Sequence, residues 1–302
     1  MVFAPPFAAV KSVNAHMLVI IIGAWGRWRW CAITPSSPCM CDANAEESWT
    51  NVTKITTSRD RDSCEDRLMN PLDDPVWHAL TGPHATVAEG GNLARRYRPE
   101  FTVWCALHPN PDAAAWDELA AVVGPDGFAL LSGNPSDLHD WEVVRSFPIR
   151  QMVLDDPVTL EPVDRVVPLD ASHAAAMATL VRATEPGPWA DRTHELGNFF
   201  GVFEDDELIA MAGERLQLPT ATEISAVCTD PAHRGRGFAA ALVTRTAHAI
   251  QARGQTAFLH VRVENHAAIH VYERLGFATR AEVSVALLQR RHHRHQPPDS
   301  KI

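Results

Sequence analysis

The chain has 302 residues, 46% of them hydrophobic and 21% charged, with a formal net charge of −10. That balance supports one large or two ordinary packed domains and sets the body against nonspecific nucleic-acid binding. The six cysteines include no CxxC pair, so neither a zinc site nor a disulfide framework is expected, and they read as reduced thiols of a cytoplasmic protein.

Residues 1–68 differ in texture from the rest of the chain. They hold 7 basic and 7 acidic residues, so the remainder carries the whole −10. The apolar run 17–25 is too short to span a bilayer. With Lys11 as the sole charge ahead of it, the run is also a poor signal peptide. Trp25, Trp28 and Trp30 crowd together with nothing evident to pack against. The expectation is that 1–68 is upstream sequence outside the native fold, with Met69 as the start and no membrane association; a genuine membrane or export segment is the rival reading.

From residue 70 the pattern becomes that of a folded protein. Asp74-Pro75 reads as the N-cap and first residue of a helix. Asp112 reads as the cap of a second helix, which stops at Gly124. Short strands are expected at 128–131, 141–144 and 152–154. Residues 69–160 therefore form a small α/β segment, either a degenerate copy of the domain after it or a lid and support for that domain. A linker is expected at 157–162, and the second domain runs over 161–290. Its order is a strand (165–169), a helix capped by Asp170 (171–183), a loop (184–197) and three strands (198–203, 208–216, 223–229). A helix reaching Gly254, a strand (257–263), a further helix and a last strand complete it. The tail 291–302 reads as a frayed, His- and Arg-rich terminus.

On the strand 223–229, strict alternation puts Ile224, Ala226 and Cys228 on one face and Glu223, Ser225, Val227 and Thr229 on the other. Next comes Arg234-Gly235-Arg236-Gly237-Phe238-Ala239, a glycine turn opening a helix. Free backbone N–H groups at the positive end of a helix dipole make a phosphate site. Glycines let an anion approach, and arginines add charge in fork geometry. A plain glycine-rich connection is the bland alternative. A dinucleotide fingerprint lacks its third glycine, since Ala240 stands there, and a Walker A loop lacks its lysine.

The run 234–239 resembles the R/Q-x-x-G-x-G/A signature of the GNAT superfamily of N-acetyltransferases. Residues 265–277, from Asn265 through Tyr272 to Gly276-Phe277, are similar to that family's N-x-x-A-x-x-x-Y-x-x-x-G-F block. The resemblance covers about 161–289. It implies a mixed α/β chain with the GNAT acyltransferase fold in its C-terminal half, preceded by the smaller α/β segment. It also implies acetyl-CoA as co-substrate, no metal, and a small-molecule or protein amine as acceptor. By the same resemblance, Val227, Cys228 and Thr229 bond the pantetheine arm, Arg234, Gly235, Arg236, Gly237, Phe238 and Ala239 grip the pyrophosphate, and Asn265 contacts the arm. A backbone N–H near Val227 is the family-like oxyanion donor.

Acetyl transfer to an amine needs a bound thioester, a neutral amine, a stabilised oxyanion and a proton for the leaving thiolate. Glu223 is the expected base, with Glu214, His194 and Glu195 in reserve. The resemblance makes Tyr272 the acid. The plain alternatives are a solvated strand glutamate and a packing aromatic. Trp189 and Phe199 are expected to wall the acceptor pocket, with Glu185, Asp191 and Glu195 available to a cationic amine. Direct transfer in a ternary complex is the expected mechanism, because Cys228 faces the core. A noncatalytic acyl-CoA-binding module is the rival.

Overall fold

The computed structural model describes residues 70–133, 137–158 and 165–291. The expectations for 1–68, for most of the linker and for the tail beyond residue 291 fall outside these. The described residues form one eight-stranded sheet, a separate three-stranded sheet and five α-helices.

The first helix, α1 (Pro75–Thr81), starts at Asp74-Pro75, yet the Asp74 side chain makes no capping bond. The proline sets the start through its fixed φ and missing N–H. Three short strands come next, β1 (Ala88–Gly90), β2 (Ala94–Tyr97) and β3 (Cys105–Leu107), antiparallel in that order. Helix α2 (Ala113–Val123) is capped by Asp112, whose carboxylate accepts from the Ala115 N–H at 3.0 Å, and it ends at Gly124 with φ +82°. Strand β4 is Phe128–Ser132.

Strand β5 (Trp141–Leu154) unites the two short strands expected at 141–144 and 152–154. Pro148 does not break it, because β10 pairs with β5 only from Ile149 onward. At Pro148 the ladder is single-sided, against β11.

The remaining strands are β6 (Val167–Leu169), β7 (Phe199–Glu204), β8 (Glu207–Gln217), β9 (Ala221–Thr229), β10 (Thr256–Arg262) and β11 (Ala278–Arg290). The large sheet runs β4-β11-β5-β10-β9-β8-β7-β6. Residues 69–160 thus contribute an edge strand and an interior strand to the sheet of 161–290, with β5 between β10 and β11.

Helix α4 (Phe238–Gln251) buries Phe238, Leu242, Val243, Ala247 and Ile250 on one face of this sheet, close to the stripe read from its period. Helix α5 (His266–Arg274) packs beside it. On the other face, α3 (Ala174–Thr184) sets Met177, Leu180 and Val181 against Met211 and Cys228. Tyr97, Phe101 and Trp104 of the N-terminal segment pack in one cluster with Val153 and Phe258.

Candidate functional site: a glycine turn beside a splayed strand

Gly235 and Gly237 have φ of +78° and +83°, and a Cβ at either would meet nothing within 4 Å. The glycines answer a backbone angle that L side chains resist, and the space above them is open. Gly237 is the N-cap of α4 and gives it no side-chain cap. The first N–H of the stretch to bond a carbonyl is that of Ala241, to Gly237 O at 3.1 Å. Among the described residues the backbone N–H groups of 235–240 reach no backbone acceptor, which leaves six donors at the positive end of a 14-residue helix.

The two arginines of the turn are not equivalent. Arg236 forms a two-pronged pair with Glu204 of β7, at 2.8 and 2.7 Å, and His233 Nε2 lies 2.9 Å from the same carboxylate. The Arg236 guanidinium holds Glu204 at about 2. Arg236 therefore braces the turn with its charge already matched. Arg234 is exposed and, among the described residues, donates only through Nε to Thr229 O, at 3.3 Å.

Strand β9 departs from its neighbour at the point the chemistry needs. Its parallel pairing with β10 ends at Leu259↔Ile224, although β10 continues to Arg262 and β9 to Thr229. Residues 225–229 thus leave a strand edge unpaired toward β10, where Val227, Cys228 and Thr229 lie. On the β8 side the register slips between Met211↔Cys228 and Gly213↔Ser225, with Ala226 at φ +53°. This bulge corrects the expected alternation. Ile224 and Val227 pack toward α4, whereas Ala226 and Cys228 pack toward α3. One extra residue reverses the facing of everything after it. Burial pushes the Cys228 thiol up to about 11, so it holds its proton at neutral pH.

Tyr272 sits on α5, buried against Phe277 with ring centroids 6.1 Å apart. Burial raises its phenol to about 12, and no hydrogen bond among the described residues engages the hydroxyl. Asn265 caps α5, accepting from the Ala268 N–H at 3.2 Å.

Glu223 is fully buried with both oxygens engaged. Arg215 of β8 donates through Nε (2.9 Å) and Nη2 (2.7 Å), and His260 Nδ1 of β10 lies 2.8 Å from Oε1. Burial alone drives this carboxyl up, but the Arg215 charge and the His260 bond outweigh it and hold it at about 2. A free, solvated base does not fit this geometry. At neutral pH Glu223 is ionised, closed off and a poor proton acceptor.

The network continues across the sheet. Gln151 Nε2 of β5 lies 3.2 Å from His260 Nε2 and donates to Leu72 O, while Gln151 Oε1 accepts from Arg280 Nη1 of β11. Arg280 also pairs with Asp73. The donors and acceptors close only if the His260 ring proton sits on Nδ1, facing Glu223. Arg215, His260, Gln151 and Arg280 were not legible as a set, because they come together only through strand register. Arg215 alone left a trace, a charge inside the apolar run 208–216 that demands a partner.

The other candidates lie elsewhere. Glu214 is fully buried on the far side of β8 and pairs with Arg253 and Asn198. Glu195 pairs with Arg192 at 2.6 Å. Trp189 and Phe199 do wall a small pocket beside the bulge, in an edge-on pair with centroids 5.5 Å apart. Pro188, Ser225, Ala226 and Arg215 are among its other walls, and Glu185, Asp191 and Glu195 are not.

Residues 199–285 match the family model described as FR47-like protein. A solved structure from Novosphingobium aromaticivorans, assigned to the GNAT family of acetyltransferases, is 37% identical. The match covers 74% of this chain and 99% of that one, with a TM-score of 0.68. A GCN5-related N-acetyltransferase from Kribbella flavida, 18% identical over 70% of this chain and 93% of its own with a TM-score of 0.51, shares the fold. Among curated proteins, mycothiol acetyltransferase from Streptomyces avermitilis is 36% identical over 94 residues, 30% of this chain and 29% of that protein. The one from Mycolicibacterium gilvum is 34% identical over 98 residues, 30% of this chain and 31% of its own. The chain thus spans under a third of the curated relatives it matches.

Proposed function

We propose that this chain, which belongs to the GNAT family of acetyltransferases, is an N-acetyltransferase that moves an acetyl group from acetyl-CoA to an amine by direct transfer in a ternary complex. The observation that carries the reading is the junction of six backbone N–H groups at the start of α4, without a backbone acceptor among the described residues, with the edge of β9 that β10 leaves unpaired. The turn suits a pyrophosphate, having left-handed glycines, open space and Arg234 at the rim. The β9 edge at Val227, Cys228 and Thr229 suits the amides of a pantetheine arm, and Asn265 adds a polar contact. Acetyl-CoA supplies the activated thioester.

In this reading the Val227 N–H is the donor to the developing oxyanion and Tyr272 protonates the departing thiolate. Glu223 positions: it fixes Arg215 in the pocket wall and sets the His260 tautomer. The amine loses its proton to water as it enters the apolar pocket, where burial disfavours the ammonium. The protonated Cys228 thiol agrees with transfer that uses no acyl-enzyme. The free, buried Cys105 and Cys228 support a cytoplasmic place of action.

The test is calorimetry with acetyl-CoA, followed by thiol release across a panel of amines. Binding with amine-dependent release is the expected result. Binding without release on any amine would leave an acyl-CoA-binding module, and no binding would end the reading.

A further inference from the structure

The pocket beside the β9 bulge says more about the acceptor than that it is an amine. Its walls include Trp189, Phe199, Pro188 and Ala226, and among the described residues the one charged side chain lining it is that of Arg215. Glu223, the carboxylate paired with Arg215, is fully buried and spends both oxygens on Arg215 and His260. A cationic acceptor body would meet a guanidinium with no acid on the wall to offset it. The acidic residues of the 184–197 loop do not reach the pocket.

Arg215 is held still. Glu223 takes its Nε and Nη2, and the Trp104 ring lies 5.4 Å from its guanidinium carbon. Among the described residues its Nη1 makes no hydrogen bond, and neither does the Ser225 hydroxyl. Thr193, also on the wall, spends its hydroxyl on Phe101 O and the Ala190 N–H. The pocket therefore offers a narrow apolar cleft, one fixed cationic donor and, among the described residues, one hydroxyl without a hydrogen bond at the bulge.

We infer that the acceptor is a carboxylate-bearing primary amine with an apolar side chain, of the class of the hydrophobic α-amino acids. Its side chain lies over the apolar rim formed by Trp189, Pro188 and Ala226. Its carboxylate accepts from Arg215 Nη1, and its amine lies at Ser225 beside the splayed end of β9. The acetyl carbon bonds to the amine nitrogen as its bond to sulfur breaks, and the proton shed by nitrogen is balanced by the one taken up by the thiolate. This inference rests on the acetyltransferase reading and narrows it.

The experiment compares L-phenylalanine, L-leucine, phenethylamine and spermidine as acceptors, by thiol release, with acetyl-CoA affinity measured separately by calorimetry. L-phenylalanine is expected to exceed phenethylamine in kcat/KM by about 10- to 100-fold, the worth of one charge-assisted hydrogen bond. Spermidine is expected to be the poorest. Arg215→Met/Glu223→Gln removes both charges of the pair together and brings phenylalanine and phenethylamine toward equal kcat/KM. Trp189→Ala lowers kcat/KM for phenylalanine more than for glycine, without strain on the ion pair. Preference for spermidine, equal use of phenylalanine and phenethylamine by the unaltered protein, or absence of turnover and binding of every amino acid at millimolar concentration would overturn the inference. In each case retained acetyl-CoA binding leaves the cofactor site standing, whereas loss of that binding refutes the broader reading.

Discussion

Replacing Glu223 by glutamine separates a positioning carboxylate from a catalytic base. The carboxyl sits at about 2 in the folded protein against an ordinary value of 4.5, so its ionised form contributes to folding. Converted at about 1.4 kcal/mol per tenfold change in proton affinity, that difference is worth about 3 kcal/mol. Removing one member of a buried pair costs on the order of 3–5 kcal/mol, because the surviving charge stays buried without its partner. The two routes agree, and a fall in Tm of roughly 6–12 °C is expected for a body of this size.

The sign of the pH dependence is set by the depressed value. Stability from Glu223 is complete above 4.5 and drains away as pH falls from 4.5 through about 2. Urea melts of the parent and of Glu223→Gln should therefore differ by about 3 kcal/mol at pH 7 and by roughly half or less near pH 3. Equal stability at pH 7 with identical acid limbs would refute the buried network. A turnover loss of about 10²–10⁴-fold with stability untouched would restore Glu223 as a direct base.

The same structure sets further outcomes. Arg234→Ala should weaken acetyl-CoA binding by about 1.5–3 kcal/mol, the worth of one charged hydrogen bond. Gly237→Val should weaken it too, since a branched residue resists φ +83°; unchanged calorimetric affinity in both variants would place the cofactor elsewhere. Arg236→Ala should instead raise the Glu204 carboxyl from about 2 toward its ordinary value, a change that NMR titration would read. Tyr272→Phe should keep acetyl-CoA affinity while lowering kcat by about 10²–10⁴-fold and altering the alkaline limb of its pH profile. Asp112→Ala should cost about 1 kcal/mol in a denaturant melt, as expected for loss of a side-chain cap.

The legible features of the chain were local ones. Period and punctuation located α4, Asp112 as a cap, and the order of strands along the chain from 198 onward, because each depends on neighbours in sequence. The three-stranded sheet was not read, since Ala94–Tyr97 is ARRY and β1 and β3 have three residues each, too short for alternation to register. Strand β5 looked like two pieces because its first half, exposed at Glu142, Val143 and Val144, has no buried face to alternate against. The Ala226 bulge was hidden for a different reason: nothing in SAVC announces a left-handed alanine, and the cost of that angle is met by the surrounding sheet. Glu223 was singled out, but its character depends on Arg215, His260 and Gln151, which three other strands bring to it.

The place of β5 has a consequence for how the chain reaches its folded state. It is made well before β10 and β11, yet its edges are completed only by those two strands, more than a hundred residues later. Until they arrive, Ile149–Leu154 presents apolar side chains and unpaired N–H and C=O groups with nothing to receive them. Closing such distant pairs demands a large loss of chain freedom before any contact offsets it, so the last stage of folding is expected to be slow and dependent on the whole length. Cutting the chain near residue 160 would leave β10 and β11 with raw edges, and the 199–285 stretch that carries the family likeness would be prone to aggregate once excised.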